Sequence, residues 1–285
     1  MTIQKTLLTA INKLRQASIT SATLDAEILL SHVLKRSKEY LLSYPEKKIS
    51  ANLSRTYKSL ILRRQRGLPT AYLTNNKEFY GLNFFVNQHV LIPRPATETI
   101  VEEAIKEVRQ LQLADKAKKI IIADVGTGSG CIAVTLAKYL KNVRLYAIDI
   151  SSSALTVAKK NAQSHKVSSK ISFVAGNLLT AIKITKKNPA IDLIVANLPY
   201  LTKYELSAVR YEPKLALLGG KMGLEYIDQL IAQVPRVLAD DGVILLEVSP
   251  TQVTVVEHVA KQHFPDKNIS FIKDLSGQER VVKIK

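Results

Sequence analysis

Apolar residues in the first third of the chain recur at helical spacing, at Ile3, Leu7, Leu8, Ile11 and Leu14 and again at Leu24, Ile28, Leu29 and Val33. Pro45 interrupts the pattern. Ser50 then supplies an N-cap for a third helix carrying Leu53, Tyr57, Leu60 and Ile61, which Gly67 and Pro69 end. Each helix has one apolar stripe, so the segment predicts a small helical domain. Over 70–95 the pattern changes. Phe79, Tyr80, Leu82, Phe84, Phe85 and Val86 flank Gly81 and predict a short β-hairpin, with Ile92-Pro93-Arg94-Pro95 as a stiff exit.

From about residue 96 the chain alternates between helices and strands. An amphipathic helix covers Ile100 to Leu111, and Ile120 to Ala123 reads as a buried strand. Then come a helix (Ile132–Leu140), a strand (Val143–Ile148), a helix (Ala154–Ala162) and two strands (Ile171–Val174, Ile191–Ala196). A helix over Tyr226–Leu238, a strand at Val243–Val248 and two closing strands near 269–272 and 281–284 complete the pattern. Continuously apolar strands set between helices predict an α/β fold with a parallel sheet covered on both faces. The expected divisions are 1–72 (helical), 73–95 (hairpin linker) and 96–285 (α/β).

Composition narrows the class. At 285 residues and 46% hydrophobic, the chain has enough apolar material for a sizeable core. No apolar run approaches a membrane span and the first residues do not read as a signal peptide, so the expected location is the cytoplasm, with no membrane partner and a monomeric state. A single cysteine, Cys131, excludes an internal disulfide, and the five scattered histidines show no metal-ligand spacing, so no metal is expected. Net charge is +17, and residues 1–95 carry 15 basic against 5 acidic side chains. That asymmetry suits an acidic partner, protein or nucleic acid, and charge alone does not choose between them.

The first predicted strand runs into Asp124-Val125-Gly126-Thr127-Gly128-Ser129-Gly130 and then a helix. Glycines here allow a sharp turn and close approach of a ligand to the backbone. The residue that would complete a GxGxxG dinucleotide fingerprint is Cys131, so that match is imperfect. Asp149 ends the next strand, where a carboxylate can accept hydrogen bonds from both hydroxyls of a ribose. Together these positions point to a nucleoside cofactor and leave NAD open.

After the strand ending at Ala196 stands Asn197-Leu198-Pro199-Tyr200, at the sheet edge where ligands bind in such folds. The motif suits a planar nitrogen acceptor. The Asn197 side-chain oxygen and the Leu198 carbonyl can each accept one N–H, and Pro199 keeps Leu198 extended. Tyr200 offers a flat face to the planar group or a wall beside a cation. No Asp, Glu or His within the motif could act as a base, so catalysis would rest on positioning and fixed dipoles.

At these residues the chain resembles the class I methyltransferases, and more specifically the protein-(glutamine-N5) methyltransferases of peptide chain release factors (PrmC/HemK). The resemblance runs through Arg66 to Leu73, Glu78 to Leu82, Val90 to Pro95 with Thr97-Glu98, Asp124 to Gly130 and Tyr211-Glu212-Pro213. It continues through Leu217 to Gly220 and Asp274 to Gly277 with Arg280-Val281-Val282. It implies a Rossmann-like seven-stranded sheet preceded by a helical domain and a β-hairpin linker, and methylation of the glutamine of a release factor Gly-Gly-Gln motif from S-adenosyl-L-methionine. By position it places the methionine part of the cofactor against Gly126, Thr127, Gly128, Ser129 and Gly130, the ribose at Asp149 and the adenine beside Asn177 and Leu178. Asn197, Leu198, Pro199 and Tyr200 would grip the glutamine amide, with Asn197 also beside the cofactor and the basic N-terminal domain docking the release factor. The chain departs from the family pattern at Leu198 (usually proline), Ala96 (usually Asp), Asn177 (often acidic) and Ser249 (usually Gly).

Other classes make distinct predictions. An rRNA adenine amino-methyltransferase would share the Asn-Leu-Pro-Tyr pocket and suit the positive charge. It would not be expected to carry the 66–98 blocks, and the chain has no Trp and only 6% aromatic residues for base stacking. No stable nucleic-acid partner is therefore expected. A nicotinamide-dependent oxidoreductase would bind NAD, and a non-catalytic adaptor would keep the fold without turnover.

Overall fold

We describe the protein from a computed structural model over residues 1–185, 190–207 and 209–285. The chain forms two compact units, Met1–Asn76 and Lys77–Lys285.

The first unit is helical, as the periodicity predicts: α1 (Ile3–Gln16), α2 (Ala22–Leu34), α3 (Lys38–Ser43), α4 (Ala51–Gln65) and α5 (Thr70–Thr74). Ser50 caps α4 by accepting from the Leu53 N–H at 3.4 Å. The short helices α3 and α5 have too few residues to show a period. Leu14, Leu29, Leu30 and Tyr57 are buried at the centre, with the Tyr57 hydroxyl donating to the Ala26 carbonyl at 3.0 Å. Asp25 on α2 accepts from Ser21 Oγ (2.8 Å), Arg64 Nε (2.7 Å) and Thr70 Oγ1 (2.9 Å), joining α2 to α4 and α5 through one buried carboxylate.

The second unit opens with the expected hairpin, β1 (Lys77–Phe79) and β2 (Leu82–Phe84). Tyr80 and Gly81 both have positive φ, the twist that a two-residue hairpin turn requires. Phe79 and Phe84 are fully buried within this unit's core. There follow α6 (Glu98–Ala114), β3 (Ile120–Val125), α7 (Cys131–Tyr139), β4 (Val143–Asp149), α8 (Ser152–Ser164), β5 (Ile171–Ala175), β6 (Ile191–Ala196) and the one-turn α9 (Lys203–Leu206). The chain finishes with α10 (Glu225–Gln233), β7 (Leu238–Glu247), α11 (Val253–His263), β8 (Ile269–Lys273) and β9 (Glu279–Ile284). Three features depart from the sequence reading, one of them the sheet, expected to be parallel and in fact mixed. The helix expected through Leu238 gives way to a 3₁₀ turn at Val234–Arg236, where Pro235 has no N–H to continue it. The pattern also gave no sign of α11, which buries only Val253, Val256 and Ala260 among polar residues.

The seven strands lie in the order β5-β4-β3-β6-β7-β9-β8. Most pairs are parallel, but β9 is antiparallel to both neighbours, so the sheet is mixed. Its link to β8 is a tight turn in which the Gly277 N–H bonds the Asp274 carbonyl at 2.9 Å, and so short a link permits only antiparallel pairing. Alternate strand residues feed two cores. Ile120, Ile122, Leu193, Val195, Val243 and Leu245 pack on one face of the sheet, and Ile121, Ala123, Ile194, Ile244 and Leu246 on the other.

Two consequences position the site. The chain runs outward from β3 to β5 and returns to β6 on the other side of β3, so the loops after β3 and β6 diverge at the topological switch point. The register also aligns the strand ends. Val125 lies opposite Ile148 and Ala196, and Ala196 lies opposite Leu246. One residue further on, Asp149, Gly126, Asn197 and Glu247 follow one another across the carboxyl edge.

Helix α6 is clamped to β9 by ions. Glu107 is buried and accepts from Lys283 Nζ and Lys285 Nζ, each at 2.8 Å, while Lys283 also reaches Glu103 at 2.7 Å. Burial pushes the Glu107 carboxyl up, but the two lysines outweigh it and hold it below 4.5. Glu107→Ala should destabilise the protein by about 1 kcal/mol, because partly exposed Lys283 keeps Glu103 at 2.7 Å while exposed Lys285 loses its carboxylate. A carboxyl whose folded value is depressed stabilises above its unfolded value and loses that contribution as pH falls. Urea unfolding should therefore show the full deficit at neutral pH and a shrinking one below the ordinary 4.5.

Candidate cofactor and acceptor site

The loop after β3 is built by short backbone bonds. The N–H groups of Gly126 and Thr127 both donate to the Ile148 carbonyl at 2.9 Å, turning the chain sharply over the end of β4. Gly126, Gly128 and Gly130 have φ of 75°, 53° and 78°, a region that favours glycine. Behind the loop, fully buried Asp124 accepts from Thr127 Oγ1 at 2.6 Å and the Ala133 N–H at 3.0 Å. Burial pushes its carboxyl up to about 7 despite these bonds.

Asp149 faces the loop. One oxygen accepts from the Gly128 N–H at 2.8 Å and the other from the Ser151 N–H at 2.9 Å. Each carboxylate oxygen can accept more than one hydrogen bond, so capacity remains for two ligand hydroxyls. Burial raises the Asp149 carboxyl, opposed by backbone N–H groups of Ser151, Gly128 and Ile150.

These elements enclose a cavity of about 230 Å³. Its wall contains most of the positions that the sequence singles out. Gly126, Thr127, Gly128, Ser129 and Asp149 form one side, Asn177 and Leu178 the next, and Asn197, Leu198 and Pro199 the end. Gly130 and Tyr200 are not among the lining residues. Gly130 instead permits packing, since a Cβ there would lie 3.0 Å from the Ala158 side chain on α8. Tyr200 is half-buried, and its backbone carbonyl accepts from Gln252 Nε2 at 3.1 Å.

The cavity has the features that a nucleoside ligand needs. A Cβ on Gly128 would meet nothing closer than a backbone oxygen at 3.9 Å, so this face of the loop is open for a ligand. Asp149 presents the paired acceptors that vicinal hydroxyls need. Among the described residues no cluster of His, Cys, Asp or Glu could hold a metal, and no helix is long and apolar enough to cross a membrane.

Several residues that sequence reasoning did not assign to the site also build it. Leu91, Pro93, Arg94 and Thr97 come from the segment before α6, Pro213, Leu215 and Ala216 from the loop after α9, and Tyr226 from α10. An ion pair joins the first two groups: Arg94 binds Glu212, whose other oxygen accepts from the Ile92 N–H at 3.0 Å. Glu247 is buried at the end of β7, beside Asn197 in register. Its signal in the sequence is a carboxylate ending an apolar strand, the signal that singles out Asp149. Burial pushes it up to about 7 against the Thr97 hydroxyl, Arg280, the Asn197 amide and Arg94, which favour its charged form.

Comparison with known proteins gives one consistent result. Residues 5–74 match the family model described as the PrmC N-terminal domain, and residues 115–270 match a methyltransferase domain. The chain is 36% identical to the release factor glutamine methyltransferase of Koribacter versatilis (strain Ellin345), over 99% of this chain and 98% of that protein. It is 34% identical to the release factor glutamine methyltransferase of Bacillus anthracis over 90% of each. The N-terminal domain of human METTL16 in complex with SAH shares the fold, with a TM-score of 0.53 at 16% identity, covering 90% of this chain and 93% of that one.

The 197–200 segment depends on close backbone approach at Gly219. A Cβ there would lie 2.5 Å from the Pro199 carbonyl oxygen and 2.8 Å from Tyr200 Cα. Gly219→Ala should therefore displace the 197–200 segment and lower turnover about a hundredfold, the scale of an ångström-sized misplacement. Calorimetric titration with S-adenosylhomocysteine should show a much smaller loss, because the nearest neighbours of a Cβ at Gly219 are Pro199, Tyr200 and Gly223, and the β3 loop is reached through Leu198.

Proposed function

The chain belongs to the release factor glutamine methyltransferase family, and we propose that S-adenosylmethionine binds between the β3 loop and Asp149, with the acceptor glutamine at Asn197 to Tyr200. The protein is a methyltransferase that acts on the side-chain amide nitrogen (N5) of a release factor glutamine. What most supports the assignment of residues is the strand-end row, in which Asp149 and Asn197 flank Gly126 on adjacent strands.

When bound, the cofactor supplies a sulfonium methyl group, so that an N–C bond forms as the S–C bond breaks and the amide loses a proton. Asp149 takes the ribose hydroxyls, and the open face of Gly128 admits the methionine part. Gly126, Thr127 and Ser129 line the same stretch, with Gly130 setting the helix behind it. Asn177 and Leu178 border the adenine. An amide nitrogen is a poor nucleophile because its lone pair is delocalised into the carbonyl. The Asn197 oxygen and the Leu198 carbonyl each accept one of its N–H bonds, holding the nitrogen in line and favouring pyramidalisation. Pro199 fixes the direction of the Leu198 carbonyl. Tyr200, outside the wall that the cofactor loops build, serves the planar acceptor group.

The glutamine is that of a Gly-Gly-Gln motif, whose small residues would let a backbone enter a narrow cleft. The helical segment 1–72 acts as the docking domain, 73–95 as the linker and 96–285 as the catalytic domain. The excess of ten positive charges over 1–95 supports docking of an acidic release factor surface.

Mass spectrometry of a purified release factor after incubation with enzyme and S-adenosylmethionine should show one added methyl group on that glutamine. Radiolabel transferred only to ribosomal RNA would overturn the assignment. S-adenosylhomocysteine should raise the unfolding temperature, whereas NAD should not. Asn197→Ala should lower turnover at least about a hundredfold, the scale of losing one fixed dipole in such a site, with cofactor affinity largely kept.

A further inference from the structure

Asn197 carries an amide that could face the acceptor by either end. Its oxygen would accept the glutamine N–H, while its NH₂ group would oppose it. Packing does not distinguish two groups of nearly equal size, so hydrogen bonding must. Within the cavity wall that both residues line, Asn197 Nδ2 donates to Thr97 Oγ1 at 3.1 Å. Thr97 is 2% exposed, on the 3₁₀ turn that leads into α6, and Glu247 is also 2% exposed, at the end of β7. The Thr97 hydroxyl and the Asn197 amide both bear on the Glu247 carboxylate, whose Oε2 has no hydrogen-bond partner.

We propose that Glu247 and Thr97 are positioning residues that set the direction of the Asn197 amide, with NH₂ toward Thr97 and oxygen left for the acceptor. This rests on the assignment of Asn197 as the residue that grips the glutamine. The argument concerns hydrogen-bond polarity. An ionised carboxylate can only accept. When it takes the hydrogen of Thr97, whose hydroxyl favours its charged form, Thr97 Oγ1 can only accept from its other neighbour, and that neighbour must present N–H. A protonated Glu247 can donate to Thr97, freeing the hydroxyl to donate in turn, and the flipped amide then becomes acceptable.

Burial opposes the charged state of Glu247 and outweighs the Thr97 hydroxyl, Arg280 on β9, the Asn197 amide and Arg94 before α6, all of which support it. Tyr200 after β6 and Cys131 at the start of α7 also feel its charge, and both are raised chiefly by burial. Asp124, the other buried carboxyl nearby, bears on Cys131 as well. The folded-state value of Glu247 is raised to about 7, so lowering pH through neutrality protonates it and removes the fixed direction.

The test compares Thr97→Val, Thr97→Ser, Glu247→Gln and Asn197→Ala for steady-state methylation of a release factor and for S-adenosylhomocysteine affinity. Thr97→Val and Glu247→Gln should each lower kcat about tenfold or more with cofactor affinity unchanged, as expected of a misoriented rather than a missing group. Thr97→Ser should recover most of the loss, because it restores the hydroxyl. The wild-type pH profile should fall on the acid side near neutrality, and Glu247→Gln should lack that limb. Wild-type kcat in Thr97→Val, or an intact acid limb in Glu247→Gln, would overturn the inference while an inactive Asn197→Ala left the pocket assignment standing. An active Asn197→Ala would overturn both. Should Glu247→Gln fail to fold, Thr97→Val and its serine rescue still decide the question.

Discussion

The site depends on the registry of β3 between β4 and β6. Because Val125 lies opposite both Ile148 and Ala196, three strands end at one level, and β7 ends at the same level through Ala196 and Leu246. Four residues of the proposed site follow by a single residue: Asp149, Gly126, Asn197 and Glu247. A one-residue slip at β6 would turn Asn197 to the opposite side of its strand and break the row. The strand is apolar on both faces, so what such a slip would also break is directional: Asp192 on β6 accepts from the Ile121 N–H at 2.7 Å and pairs with Lys118 at 2.8 Å. A polar tie inside an apolar strand thus helps to hold the register on which the site's geometry rests.

Around this rigid edge the remaining walls are held by specific polar ties. Asp149 joins the end of β4 to Gly128 and to the start of α8 through one carboxylate. Asn161 on α8 reaches the other way, donating to the Ser129 and Phe85 carbonyls and accepting from the Phe85 N–H. The Arg94–Glu212 pair links the segment before α6 to the loop after α9, across 118 residues of sequence. Each tie joins a strand-end loop to a segment that no strand fixes. Directional bonds are needed there because burial alone tolerates sliding.

Much of this was readable from the sequence, for identifiable reasons. The strand–helix alternation, the glycine turn, the carboxylate ending β4 and the Asn-Leu-Pro-Tyr segment are local signals, each complete within about seven residues. The blocks around Arg94 and Glu212 could be matched one by one, but their pairing could not, because no periodicity connects residues so far apart. Helix α11 escaped because its buried stripe is only three small or β-branched residues. Thr97 and Glu247 escaped for a different reason. A threonine before a helix reads as a cap, and the carboxylate ending β7, though it gives the same signal as Asp149, follows no glycine loop that would mark it as part of a site. Only the register of β6 and β7 makes them neighbours of Asn197.

Leu198 shows how the two halves of the site are coupled. The residue is 4% exposed, and its Cδ2 lies 3.1 Å from where a Cβ on Gly126 would stand. Its side chain therefore packs against the first glycine of the β3 loop, while its carbonyl is the second hydrogen-bond acceptor proposed for the glutamine. A proline at 198 would fix the backbone through its own ring. Leucine gives up that constraint and replaces it with burial against the loop, supplemented by the restriction that Pro199 imposes from the following position. Because one residue supplies both contacts, a change in the glycine loop alters the footing of the acceptor carbonyl directly. Gly126 is thus required twice, for its positive φ and for the absence of a side chain where Leu198 sits.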